Sequence, residues 1–113
     1  MSEEKRVTKS CVGKPVVLAD MIDYAAGSIV SKTLIDKPVG TITLFAFDRG
    51  QKLSEHTAPY DAVVQIIDGS TDITIDGKVK AVCSGQFIVM PANIPHTVAA
   101  KEKFKMMLIM IRA

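Results

Sequence analysis

"YDAVVQIIDGSTDITIDGKVKAVC", residues 60–83, reads as three extended segments punctuated by two turns. Residues 60–68 are rich in β-branched apolar side chains, and Gly69-Ser70 breaks the run. "TDITID" then alternates apolar and polar residues with period two, the pattern of a strand with one buried face. Asp76-Gly77 follows, the pair favoured in a two-residue hairpin turn because both positions need positive φ. "KVKAVC" returns as the partner strand before Ser84-Gly85 stops it.

The same grammar extends in both directions. Upstream, "SIVSKTLI" (28–35) and "TITLFAF" (41–47) flank the breaker cluster Lys37-Pro38-Val39-Gly40. Downstream come "QFIVMP", the loop Pro91-Ala92-Asn93-Ile94-Pro95, "HTVAA" and "FKMMLIMI". Short strands with turn signals roughly every eight to twelve residues predict an all-β sandwich or barrel. Residues 1–14 are polar and aperiodic and are expected to form a loose tail. In "PVVLADMIDYAAGSIV", Asp20 is placed to cap a short helical turn that Gly27 ends. The expected division is an N-terminal extension over 1–27 and a barrel over 28–113.

Composition sets the limits. The chain has 113 residues, 48% of them hydrophobic, enough for one packed domain, and no Trp, so the core rests on aliphatic side chains and methionine. A net charge of +2 from 14 basic and 12 acidic residues gives no basic face, so nucleic acid is not an expected partner. Lys101, Lys103 and Lys105 read as a solvated strand edge. No apolar run is long enough to span a bilayer and no signal-peptide pattern opens the chain. A cytoplasmic location with Cys11 and Cys83 as free thiols is expected, and no membrane contact.

The two histidines carry the functional signal. Gly50 is followed at fixed offsets by His56, Ala58, Ala62 and Gly69, and Gly85 by Pro91, Asn93 and His96. This resembles the cupin superfamily, whose motifs read G-x5-H-x-H-x3/4-E-x6-G and G-x5-P-x-G-x2-H-x3-N. Gly50, His56, Gly69, Gly85, Pro91 and His96 match. The resemblance implies a double-stranded β-helix, the cupin jelly roll. It also implies a site at His56 and His96, where metal-binding cupins place two of four ligands. Ala58 and Ala62 stand where the second histidine and the glutamate would be, and Asn93 replaces a glycine, an exchange the left-handed backbone tolerates.

Two imidazoles alone hold a first-row metal weakly, since catalytic sites use at least three protein ligands. Alternation along the strand turns Ala62, Val64 and Ile66 inward and Asp61 outward, so Asp61 is a poor substitute for the glutamate without a bulge. Tyr60 is a looser candidate for the shell. The expected ligand pocket comprises His56, Ala58, Tyr60, Ala62, Val64, Met90 and His96, with Val89 facing it. Met106, Met107 and Met110 are available to line or fill the interior, and Phe45, Phe47, Phe87 and Phe104 are core candidates.

The leading reading is a small-molecule-binding protein with an incomplete metal site. One alternative is a metal-dependent isomerase, lyase or dioxygenase acting on a sugar acid or oxo-acid, with Zn, Fe, Mn or Ni held by His56 and His96. Another is an accessory or regulatory protein acting through its dimer surface. Apolar residues on both faces of "AVVQII" and "MMLIMI" call for a cover, and a homodimer through "IVSKTLI" is the expected one.

Overall fold

The computed structural model describes residues 6–112 and contains ten strands. They are β1 (Arg6–Val7), β2 (Ile29–Lys37), β3 (Gly40–Phe47), β4 (Lys52–His56), β5 (Asp61–Asp68), β6 (Ser70–Ile75), β7 (Lys78–Cys83), β8 (Phe87–Met90), β9 (His96–Ala99) and β10 (Phe104–Ile111). All pair antiparallel in two sheets, ordered β1-β2-β3-β10-β5-β8 and β4-β9-β6-β7. The sheets face each other as a jelly roll. Among the described residues no helix is long and apolar enough to cross a membrane.

The stretch 60–83 folds as its pattern dictates. Asp76 (φ 51°) and Gly77 (φ 78°) both take the left-handed conformation in the β6–β7 turn. Gly69, between β5 and β6, has φ 74°, and a Cβ there would lie 2.7 Å from the Lys103 carbonyl oxygen. That position therefore excludes a side chain twice over, by backbone conformation and by space.

The core lies between the sheets. Phe47, Val64, Ile66, Ile73 and Phe104 are fully buried, and Phe47 stacks on Phe104 with centroids 4.6 Å apart. Such a pair adds about 0.5–1.5 kcal/mol beyond area burial. Ala62, Val64 and Ile66 do face inward, each opposite an inward residue of β10: Met110, Leu108 and Met106.

A second cluster covers part of the outer face of the larger sheet. Leu18, Met21, Ile22 and Tyr24 pack on Val30, Leu34, Leu44, Ala46, Ile67 and Met107. Tyr24 donates to Asp68 Oδ2 at 2.6 Å, and Lys103 and Lys105 both place Nζ 4.9 Å from its ring centroid. Burial, and then the Asp68 carboxylate, raise the Tyr24 pKa well above the ordinary phenol value.

Several expectations are corrected. Lys105 is not a solvated edge residue: it is 8% exposed on a central strand and donates to the Ala19 carbonyl oxygen at 2.6 Å. Phe87 and Val89 are not interior: they point outward from edge strand β8, 65% and 47% exposed. Val7, in the expected tail, pairs with Ile35 in β2; residues 1–5 of that tail lie outside the described residues. Asp20 closes a single 3-10 turn, Leu18–Asp20, rather than capping one. Residues 18–24 pack beside Val30, Leu34 and Ile35 of β2. Cys11 and Cys83 are free thiols, with Cys83 exposed.

Candidate functional site

One end of the barrel interior is hollow. A cavity of about 80 Å³ is lined by Ala62, Met90, Met106, Leu108 and Met110 from the larger sheet and by Leu53, His56, His96 and Val98 from the smaller, with Ala58 at its rim. It accommodates a few waters or a ligand fragment. Among the described residues no carboxylate, hydroxyl or thiol side chain lines it.

Each wall has a local cause. Ala62 pairs with Met110 on one side and Met90 on the other, so β10, β5 and β8 bring two thioethers around a methyl. On the smaller sheet, His96 pairs with both His56 and Ile75. Leu53 and His56 are three residues apart, and strict alternation would put them on opposite faces. The register shift between them on β4 turns both toward the cavity. At the rim, Asn93 (φ 66°) donates its N–H to the Ala58 carbonyl oxygen at 2.7 Å, and Ala92 N–H donates to Asp61 Oδ1 at 2.9 Å. These bonds tie the loop before β5 to the loop before β9. They also show Asp61 spent on the backbone and turned away from the imidazoles.

The histidines form a T-shaped pair with ring centroids 4.2 Å apart and Nε2 atoms 3.0 Å apart. His56 Nδ1 lies 2.8 Å from the Ser54 carbonyl oxygen and His96 Nδ1 3.2 Å from that of Ile94. A carbonyl oxygen only accepts, so each Nδ1 contact needs the ring's proton. The Nε2–Nε2 contact needs a third. A neutral pair carries two protons for three contacts, so one contact is short of a proton wherever the protons sit. His56 is exposed at the cavity mouth, whereas His96 is 5% exposed. Burial lowers the His96 pKa; the Ile94 carbonyl opposes this and the charge of His56 adds to it.

Of the residues singled out in the sequence, His56, Ala58, Ala62, Met90 and His96 line this cavity. Val64 does not; it is sealed in the packed core. Tyr60 does not either, and its ring lies 6.0 Å from the Arg112 guanidinium. Met107 faces the outer cluster, while Met106 and Met110 face in. Leu53, Val98 and Leu108 were not singled out. The alternation rule finds Leu108 from Met106, but Leu53 depends on the bulge. Among the described residues no three His, Cys, Asp or Glu side chains come together as a metal-holding group.

This fold and this histidine placement define a jelly roll of the cupin class. Residues 43–112 match the cupin domain family Cupin_2, and the chain belongs to that family. Three solved structures resemble it over most of its length. A conserved protein of unknown function from Streptococcus pyogenes is 34% identical, with a TM-score of 0.88 over 98% of this chain and 96% of that one. A cupin superfamily protein from Desulfitobacterium hafniense is 26% identical, with a TM-score of 0.86 over 98% and 99%. A cupin 2 conserved barrel domain protein from Leptotrichia buccalis is 45% identical over 82% of this chain, which spans 45% of its length, with a TM-score of 0.79. No curated protein matches the sequence significantly.

Proposed function

We propose that this cupin binds a small molecule inside the barrel, with the His56–His96 pair as its polar anchor. The observation that carries the reading is the pair of Nε2 atoms, 3.0 Å apart, on the wall of a hollow, otherwise apolar, cavity. A ligand O–H or N–H, or a carboxylic acid arriving with its proton, supplies what the pair lacks. The rest of the lining suits an apolar body. A polyhydroxylated sugar acid fits it less well, because each buried hydroxyl without a partner costs about 1–3 kcal/mol.

Cupins often bind metals, and the imidazoles stand at two of the family's ligand positions. The donor set here does not fit a resident hard divalent ion. Ala58 and Ala62 contribute methyl groups, Asp61 is turned away, and no oxygen ligand lines the cavity. No catalytic step is therefore assigned to such an ion.

The test is a thermal-shift series with small apolar carboxylic acids and phenols. A ligand about a hundredfold above its Kd stabilises by about 2.7 kcal/mol. The shift is expected in the wild-type chain and not in Ala62→Leu, which fills the cavity, or in His96→Gln. Equal shifts in all three would overturn the reading.

A homodimer belongs to the same reading. Val89, Val63, Ile109 and Ile42 sit side by side across four strands on the outer face of the larger sheet, next to exposed Phe87. A two-fold contact sets this row against itself, which supports a second copy as its cover. Sedimentation should show dimers that Phe87→Lys converts to monomers; an unchanged mass for that variant would refute this face.

A further inference from the structure

We propose that the outer face of the larger sheet carries a second ligand site, a groove beside the β2–β3 hairpin that takes an alkyl-chain carboxylate. The groove is separate from the barrel cavity, so this site stands or falls independently of the histidine pair.

The body of the groove is apolar. It holds about 200 Å³ and is lined by Ile35, Val39, Ile42, Ile109 and Ile111, with Lys37 beside them. The strand registers bring these residues together: Ile35 pairs with Ile42, Ile42 with Ile109, and Ile111 with Gly40. Gly40 contributes no side chain opposite Ile111, and none fits, since a Cβ there would lie 2.5 Å from the Met110 carbonyl oxygen. Val39 and Ile111 are exposed, so the trough opens to solvent. Drug-sized sites hold about 300–1,000 Å³, and this smaller volume suits a single alkyl chain better than a ring system.

One end of the groove is cationic. Arg112 follows Ile111 and is half-buried. Its backbone N–H donates to the Val39 carbonyl oxygen at 2.8 Å, and its Nη1 donates to that of Lys37 at 3.0 Å. Its guanidinium also lies 6.0 Å from the Tyr60 ring centroid. These contacts hold the side chain beside two groove residues and leave its other N–H donors for a guest. Among the described residues neither Arg112 nor Lys37 is paired with a carboxylate. Asp61, opposite Ile111, turns its Oδ1 to the Ala92 N–H instead.

Two unpaired cations against an apolar trough are complementary to a carboxylate head with an alkyl tail. The guanidinium fork matches a carboxylate, and the tail covers the isoleucines. Inorganic phosphate would leave the isoleucines wet, and a neutral chain would leave the cations unmatched.

Titration of octanoate into the ¹⁵N-labelled chain tests the site. It is run on Phe87→Lys, which frees Ile42 and Ile109 from the contact proposed with a second copy. It is then repeated with Ala62→Leu added, which fills the barrel cavity. Octanoate should produce saturable shifts at Gly40, Thr41 and the Arg112 side chain in both backgrounds. Shortening the acid toward butyrate should weaken binding by about two- to fourfold per methylene removed. Octanol, with the same chain and no charge, should bind about tenfold more weakly, and Arg112→Gln should weaken octanoate by a similar factor. No saturable shift at Gly40, equal affinity for octanoate and octanol, or undiminished binding in Arg112→Gln would overturn the site. Shifts confined to the imidazoles and lost on adding Ala62→Leu would assign the acid to the barrel cavity and overturn the groove, while leaving the reading of that cavity intact.

Discussion

The two ends of the barrel interior are built from the same strands and differ in what fills them. Toward the β5–β6 corner, β3, β5, β6 and β10 contribute Phe47, Ile66, Ile73 and Phe104, each completely buried. Toward the β8–β9 loop, the same β5 and β10 contribute Ala62 and Met110, and the smaller sheet contributes two imidazoles. One end is closed by large rigid side chains, the other left open by small and flexible ones. The contrast teaches a division of labour: stability resides where rings and branched chains interlock, and the hollow end is free to change its polar groups without endangering the fold.

The largest expected effect breaks the closed end. Phe104→Ala removes one partner of the stacked pair from a fully buried site and should cost about 3–5 kcal/mol, read as a large drop in Tm. A cost under about 1 kcal/mol would mean the two ends are packed alike.

The next concerns the open end through pH. Burial keeps His96 in its neutral form, so its folded pKa lies below the ordinary imidazole value of 6.5. The unfolded chain then takes up the proton first. Stability from this ring is complete above about pH 6.5 and is lost as pH falls through the depressed folded value. Thermal melts of the metal-free chain should show that loss, and His96→Gln should flatten it. A Tm that rises on acidification would contradict the assignment.

The smallest effect is expected where the cavity accepts volume. Ala62→Leu should change stability by less than about 1 kcal/mol, because the added carbons enter free space. The same kind of insertion in a filled core costs about 1–3 kcal/mol. Chemical denaturation distinguishes the two outcomes.

Much of the closed end was legible in the sequence. The period-two runs, the Asp76-Gly77 turn and the glycines at 50, 69 and 85, all with positive φ in the structure, establish strands and corners. Strand β4 was not, because "KLSEH" is polar and its alternation is broken by the register shift. Lys105 was misread for a different reason: its partners, the Ala19 carbonyl and the Tyr24 ring, come from a segment some eighty residues away, beyond the reach of local pattern. Phe87 was misread because hydrophobicity says nothing about which strand lies at a sheet edge.

The open end was half legible. Motif spacing brought His56 and His96 together, and alternation along β5 turned Ala62 inward. The two carbonyls that fix the imidazole orientation were not visible, because backbone acceptors leave no mark on side-chain identity. The convergence of Met90, Met106 and Met110 depended on the β5–β8 and β5–β10 registers, which only the fold supplies.

The measurement that bears most directly on the account is the protonation of the four imidazole nitrogens, read from ¹⁵N spectra of the metal-free, ligand-free chain at neutral pH. Nδ1 should be protonated in both rings, against Ser54 and Ile94, with Nε2 of His96 bare and facing Nε2 of His56. Finding His96 protonated on Nε2 with its Nδ1 bare would contradict it. The pair would then complete its own contact and leave the unmet one at the Ile94 carbonyl, so the cavity would offer a guest no bare Nε2.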